Sequence, residues 1–296
     1  METRVENMLL VIVGQTASGK TSLAIELAKQ FDGEIICADS RTIYREANIG
    51  TAKPSIVEQK KIRHHLLDVE SIDESFTVAD FKHLADIAIA DVSARGRLPI
   101  LVGGSGLYIN AVIYNYQFRD IQDGSAREDF KDASVEELQS ELVSRNIALP
   151  ENSRNRRYLI RSIEAGTQAV INNKIRDNTL IIGLEIADDD LRNRIKMRTE
   201  QMFRDGLIDE TIRLNRKYGW DNRAMKAPAY TAVREYVEGR HTMHEAIEHC
   251  IKLDLKLAKK QRTWFKRNEH IQWIAASKAQ AVVQEFVSKT HKNISN

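Results

Sequence analysis

The run Met8-Leu-Leu-Val-Ile-Val13 is apolar at every position and stops at Gly14, the pattern of a strand buried on both faces in a parallel sheet. Lys20 to Gln30 then carries Leu23, Ile25, Leu27 and Ala28 at helical spacing, so the order is strand, glycine loop, helix. A second strand, Glu34 to Ala38, ends on Asp39-Ser40. A third, Leu98 to Val102, ends on Gly103-Gly-Ser-Gly106 before the helical-looking Leu107 to Ile113. Between them Val78, Phe81, Leu84, Ala85 and Ala88 line one face of a crossover helix over 77–94. Strands alternating with helices predict a parallel α/β sheet.

From Tyr116 to Asp177 buried-strand runs disappear and polar residues dominate, with Arg154, Arg156, Arg157 and Arg161 clustered before an apolar helical face. This reads as a helical insertion over 116–177, set into a core made of 1–115 and 178–296. The core resumes with a strand at Thr179 to Ile186, after which Asp188-Asp-Asp190 is expected to cap a helix rich in arginine (Arg192, Arg194, Arg198). The last third is expected to be mostly helical, with a long segment over 241–265, a short strand over 270–274 and a frayed polar tail from Ser288.

Composition narrows the class without naming a reaction. A chain of 296 residues, 42% hydrophobic, can bury a sizeable core. Leu9 to Val13 is too short for a membrane span or a signal-peptide core, so a cytoplasmic protein is expected. The two cysteines, Cys37 and Cys250, are far apart and lack histidines at metal-finger spacing, which predicts buried thiols. His64 and His65 are expected to be structural hydrogen-bonders, and Trp264 and Phe265 to be core. The net charge of +2 says little about partners, because its distribution matters more. Lys252, Lys256, Lys259, Lys260, Lys266 and Arg267 form a local basic run suited to guiding a polyanion.

The chemistry begins at Gly14-Gln-Thr-Ala-Ser-Gly-Lys-Thr21, a full G-x-x-x-x-G-K-[ST] match between a predicted strand and a predicted helix. Small residues let backbone N–H groups curl around phosphate oxygens, Lys20 adds charge, and the Thr21 hydroxyl suits Mg²⁺. The predicted fold is therefore a P-loop NTPase-like parallel sheet flanked by helices. A kinase would place an Asp after a later strand, but that strand ends in Gly103-Gly-Ser-Gly106, and the strand-end carboxylate is Asp39. Asp39, Ser105 and the loop are expected to converge beyond the carboxyl ends of the strands. Spacing leaves two roles open for Asp39: a general base, or a cap or holder of Mg²⁺-bound water.

Six segments in order resemble the tRNA dimethylallyltransferase (tRNA isopentenyltransferase) family: Gly14 to Thr21, Asp39-Ser-Arg-Thr-Ile-Tyr44, Ile49-Gly-Thr-Ala-Lys-Pro54, His64-His-Leu-Leu-Asp68, Val102-Gly-Gly-Ser-Gly-Leu-Tyr108 and Arg161-Ser-Ile-Glu164. Lys260-Gln-Arg-Thr-Trp-Phe265 adds a similar basic signature near the end. The resemblance implies an enzyme that transfers a dimethylallyl group from dimethylallyl diphosphate to the exocyclic amine of the adenine 3′ to the anticodon, with Mg²⁺. It implies Asp39 as base and Ser105 and Lys20 as catalytic partners. It puts diphosphate on Gly14, Thr16, Ala17, Ser18, Gly19, Lys20, Thr21 and Lys226, with metal at Thr21. It implies a tRNA anticodon stem-loop on Asp39, Ser40, Arg41, Thr42, Ser105 and Arg127, along Arg157, Tyr158, Leu159, Ile160 and Arg161, and at Lys226 and Tyr230. A monomer with no membrane partner is expected.

The chain departs from the family pattern at five places: Gln15 stands for proline, Thr42 for glutamine, Ser105 for threonine, and Tyr158 and Lys226 each for arginine. Lys226 keeps the charge but loses the bidentate fork. A prenyltransferase for free adenine nucleotides, a P-loop small-molecule kinase and a non-catalytic RNA-binding protein are the competing readings.

Overall fold

The computed structural model describes residues 8–118, 129–150, 152–165 and 174–294. Six strands, β1 (Leu9–Val13), β2 (Gly33–Cys37), β3 (His64–His65), β4 (Leu98–Gly103), β5 (Thr179–Leu184) and β6 (Gln272–Ile274), form one sheet of order β3-β2-β4-β1-β5-β6. Every pairing is parallel. The register aligns Leu10 with Ile100 and Leu180, and Ile35 with Ile100, so alternate residues share one sheet face. That face packs against helix α1 (Lys20–Gln30) through Leu23 and Leu27, and against the C-terminal helix through Ala279 and Val283. Leu9, Val11, Leu101 and Ile181 point the other way and are equally buried, which is why these strands read as unbroken apolar runs.

Helices α2 (Ile56–Lys61), α3 (Val78–Ala94) and α4 (Gly106–Ile113) follow in the first part of the chain. Ser55 and Thr77 each open a helix with a reciprocal capping box, closed by Glu58 and Asp80. Phe81 of α3 stacks on Tyr108 of α4 at 4.1 Å between ring centroids. The edge strand β3 escapes the sequence pattern because it is two residues long, too short for periodicity. Buried Glu34 of β2 accepts from Arg95, Arg97 and His65, and the Arg95 guanidinium holds its carboxyl far below the usual range despite burial.

The chain separates into two compact units, Met1–Ile113 with Arg176–Asn296, and Tyr114–Ile175. In the second unit, α5 (Val135–Ser144) and α6 (Arg156–Ala165) pack through Leu138, Leu142, Leu159 and Ile163. In the first, α7 (Asp188–Arg204), α8 (Leu207–Tyr218), α9 (Pro228–Val237), α10 (Met243–Phe265) and α11 (Ala279–Ile294) complete the fold.

Three expectations are corrected. The N-cap of α7 is Ala187, with no side-chain cap, and Asp188, Asp189 and Asp190 occupy the first turn, where their charge faces the positive helix end. The tail from Ser288 continues as helix to Ile294, because Ala279 and Val283 anchor α11 on the core. Trp264 is 39% exposed, although its ring edge lies against Gly106; Phe265, 1% exposed, is core as expected. Cys37 and Cys250 are buried free thiols, and burial pushes the Cys250 thiol up to about 12. Among the described residues no helix is long and apolar enough to cross a membrane.

Tyr230 is fully buried against Gly50, and its hydroxyl donates to Glu210 at 2.8 Å. Glu210 also accepts the N–H groups of Asn48, Ile49 and Gly50 at 3.2, 3.0 and 2.9 Å, tying that loop to α8. Tyr230→Phe removes one bond of this buried set and is expected to cost about 1–2 kcal/mol, read as a lowered midpoint in urea unfolding with unchanged slope.

Candidate active site

The loop between β1 and α1 turns on residues with left-handed backbone. Gly19, at φ 96°, is the N-cap of α1, a conformation a side chain would strain, and Ala17 holds φ 61° nearby. The turn closes when Ser18 N–H donates to the Gln15 carbonyl at 3.2 Å. Lys20 Nζ reaches back to that same carbonyl, which folds its chain over the loop. Ser18 Oγ is buried beside Gly14, with no hydrogen-bond partner among the described residues.

A second loop meets the first. Ala38 N–H donates to the Val102 carbonyl at 2.7 Å, extending the β2–β4 pairing by one residue, and Ser105 N–H returns to the Ala38 carbonyl at 3.3 Å. Ser105 Oγ then accepts the Ser40 N–H at 2.9 Å. Asp39 lies between, its Oδ1 accepting the Arg41 N–H at 2.8 Å, so the local turn fixes the carboxylate. Thr16, Ala17, Gly19, Lys20, Thr21 and Asp39 all line one cavity of about 460 Å³. Its apolar wall includes Ile35, Cys37 and Val102.

Two arginines of α7 supply further charge. Arg194 donates to the Ser18 carbonyl at 3.2 Å, and Arg198 to Thr16 Oγ1 at 3.0 Å. Arg198 is also held by Asp254 of α10 at 2.7 Å. Burial lowers the Lys20 pKa from 10.5 to about 8, with Asp39 opposing the shift and Arg198 adding to it. The arrangement brings three cations, Lys20, Arg194 and Arg198, to the same cavity as the Asp39 carboxylate, suited to an anionic leaving group beside a proton acceptor.

Comparison with known proteins decides the lineage. The family described as IPP transferase matches residues 42–268. The tRNA dimethylallyltransferase of Anoxybacillus flavithermus is 38% identical over 277 residues, spanning 90% of this chain and 89% of that protein. The chain belongs to the IPP transferase family. The tRNA dimethylallyltransferase of Acetivibrio thermocellus is also 38% identical, over 90% of this chain and 91% of its own. The crystal structure of a tRNA isopentenylpyrophosphate transferase from Bacillus halodurans superposes with TM-score 0.76 at 33% identity, covering 98% of this chain and 100% of that one. This likeness agrees with the P-loop NTPase-like sheet expected from the sequence. These relatives do not favour the kinase or free-nucleotide readings.

Within this IPP transferase family member the site residues expected from sequence fall into separate places. Thr16, Ala17, Gly19, Lys20, Thr21, Asp39, Arg41 and Thr42 line the cavity. Ser105 is bonded beside Asp39 without being a lining residue. Lys226 is exposed on a 3-10 turn (Ala224–Lys226) and off the cavity wall, which its neighbours Ala227, Pro228 and Ala229 help to form. Tyr230 is interior and engaged by Glu210, so its side chain offers no surface to RNA. In the other unit Arg157 and Tyr158 are exposed, Ile160 is half-buried, and Leu159 is core. Arg127 and the Arg161 side chain lie outside the described residues. His65 bonds Glu34 at 2.7 Å, while His64 Nδ1 meets the Ile62 carbonyl at 2.8 Å and its ring lines the cavity.

The sequence reading assigned no site role to Arg194, Arg198, Asp254 or Gln261, all of which line the cavity. One signal was available: Arg194 and Arg198 are four apart on the helix that follows β5, and therefore share a face. Lys20 must be charged to hold an anion, so its contribution to binding is complete below pH about 8 and lost above it. For folding the sign is opposite: the cost of the buried charge disappears as pH rises between about 8 and 10.5. Calorimetric titration with inorganic diphosphate should show wild type binding more tightly than Lys20→Met at pH 7. That advantage should shrink by about tenfold per pH unit above about 8.

Proposed function

We propose that this protein transfers a dimethylallyl group from dimethylallyl diphosphate to the exocyclic amine of the adenine 3′ to the anticodon in tRNA, releasing diphosphate. The observation that carries this reading is the opening of the phosphate cradle and the Asp39 carboxylate into one cavity. The relatives' names, tRNA dimethylallyltransferase and tRNA isopentenylpyrophosphate transferase, agree with it.

In this mechanism the adenine amine attacks the allylic carbon, the carbon–oxygen bond to diphosphate breaks, and the amine proton passes to Asp39. The amine lone pair is delocalised into the purine ring, so removing the proton as the bond forms raises its nucleophilicity. Negative charge collects on the departing oxygens, where Lys20, the loop N–H groups, Arg194 and Arg198 stabilise it. Ser105 fixes the Asp39 turn through Ser40. Thr21, beside Lys20 on the cavity wall, would hold Mg²⁺ together with phosphate oxygens and water. Mg²⁺, when bound, offsets diphosphate charge.

The target adenine has to leave the anticodon-loop stack to reach the cavity, with bases in unpaired loops the most easily splayed out. Arg157 and Tyr158, exposed on α6, are proposed to meet the RNA, as is the basic face of α10 with Lys252, Lys256, Lys259 and Lys260. Lys226, exposed beside the cavity-lining segment, is proposed to act on the incoming polyanion as a point charge.

Incubation with Mg²⁺, labelled dimethylallyl diphosphate and either tRNA or adenosine monophosphate tests the reading. Label is expected in tRNA; label in the mononucleotide alone would sink it. Asp39→Asn is expected to lower the transfer rate by about 10²-fold or more while tRNA binding persists in a filter assay. Arg198→Met is expected to raise KM for dimethylallyl diphosphate by about tenfold, because a positive partner of the diphosphate is lost.

A further inference from the structure

Helix α10 holds Thr16 of the phosphate loop twice, directly through Gln261 and indirectly through Arg198 of α7. The Thr16 N–H donates to Gln261 Oε1 at 2.7 Å, and Thr16 Oγ1 accepts from Arg198, which Asp254 anchors. Asp254 and Gln261 are seven residues apart, two helical turns, so they stand on one face of α10. The other end of the Gln261 amide donates to the Gly104 carbonyl at 3.1 Å. A Cβ on Gly104 would lie 2.2 Å from Gln261 Nε2, so a side chain there would displace the Gln261 amide.

We infer that Gln261 is a positioning residue that sets the separation between the leaving-group cradle and the Asp39 carboxylate. A continuous path joins them: Thr16 to Gln261, Gln261 to Gly104, then Ser105, whose Oγ holds the Ser40 N–H next to Asp39. One planar amide, donating at one end and accepting at the other, spans the two loops at fixed length. The Thr16 N–H is committed to Gln261, so phosphate coordination falls to the amides closer to Gly19 and Lys20. Gln261 thereby orients two reacting groups on different loops without being a catalytic group, and a small misplacement of such groups is enough to slow a reaction strongly.

The inference rests on the transfer reaction proposed above, and it is tested with Gln261→Met and Gln261→Glu in the full-length protein. Methionine keeps length and packing but removes both hydrogen bonds. Glutamate keeps the acceptor for Thr16 and turns the Gly104 contact into a repulsion between oxygens. In steady-state transfer to tRNA both variants are expected to lose about tenfold or more in kcat, with KM for dimethylallyl diphosphate within about threefold of wild type. Thermal unfolding midpoints are expected to stay close to wild type. An unchanged kcat in Gln261→Met overturns the inference, as does a kcat loss matched by an equal loss of inorganic diphosphate affinity, which would make Gln261 part of the cradle. A wild-type protein that prenylates no tRNA overturns the functional reading and the inference with it.

Discussion

A Cβ on Gly103 would lie 1.9 Å from the Ala38 carbonyl oxygen, and the close approach of these two backbones sets the geometry of the site. Because β4 ends against Ala38, the chain leaving β2 turns at Asp39 directly beside the chain leaving β4 at Ser105. The next strand in the sheet, β1, delivers the phosphate loop at the same edge. The carboxyl ends of neighbouring parallel strands thus collect the groups that chemistry at a phosphate ester requires.

Charge is the second constraint. Lys20 is desolvated, Arg198 stands near it, and Asp39 offsets the pair from across the cavity. A site with this balance favours a ligand that brings its own negative charge and penalises the cations in its absence. The Arg198–Asp254 pair limits that penalty and couples α10 to the loop. The last third of the chain is therefore part of the site, and the proposed prenyl transfer draws on both ends of the chain.

Much of the fold could be read directly. β1, α1, α3, β4 and β5 are contiguous segments whose buried faces leave a local pattern, and the P-loop signature is eight consecutive residues. The short β3 left no pattern, and the N-cap of α7 was misread because three aspartates in a first turn look like a cap. Trp264 shows how the same reasoning fails at a site: helical spacing marks it as core, whereas it covers Gly106 and stays partly exposed.

What the sequence by itself determined is the phosphate loop, the strand-end carboxylate and the family, since each is carried by residues adjacent in the chain. What only the tertiary structure decided is who completes the pocket. Gln261 lies 245 residues from Thr16 and Arg198 lies 182 from it, while Lys226, expected on the wall, is exposed beside it. Such partnerships depend on strand order and helix packing, and those arise from burying the whole sheet at once, a condition that no local stretch of sequence records.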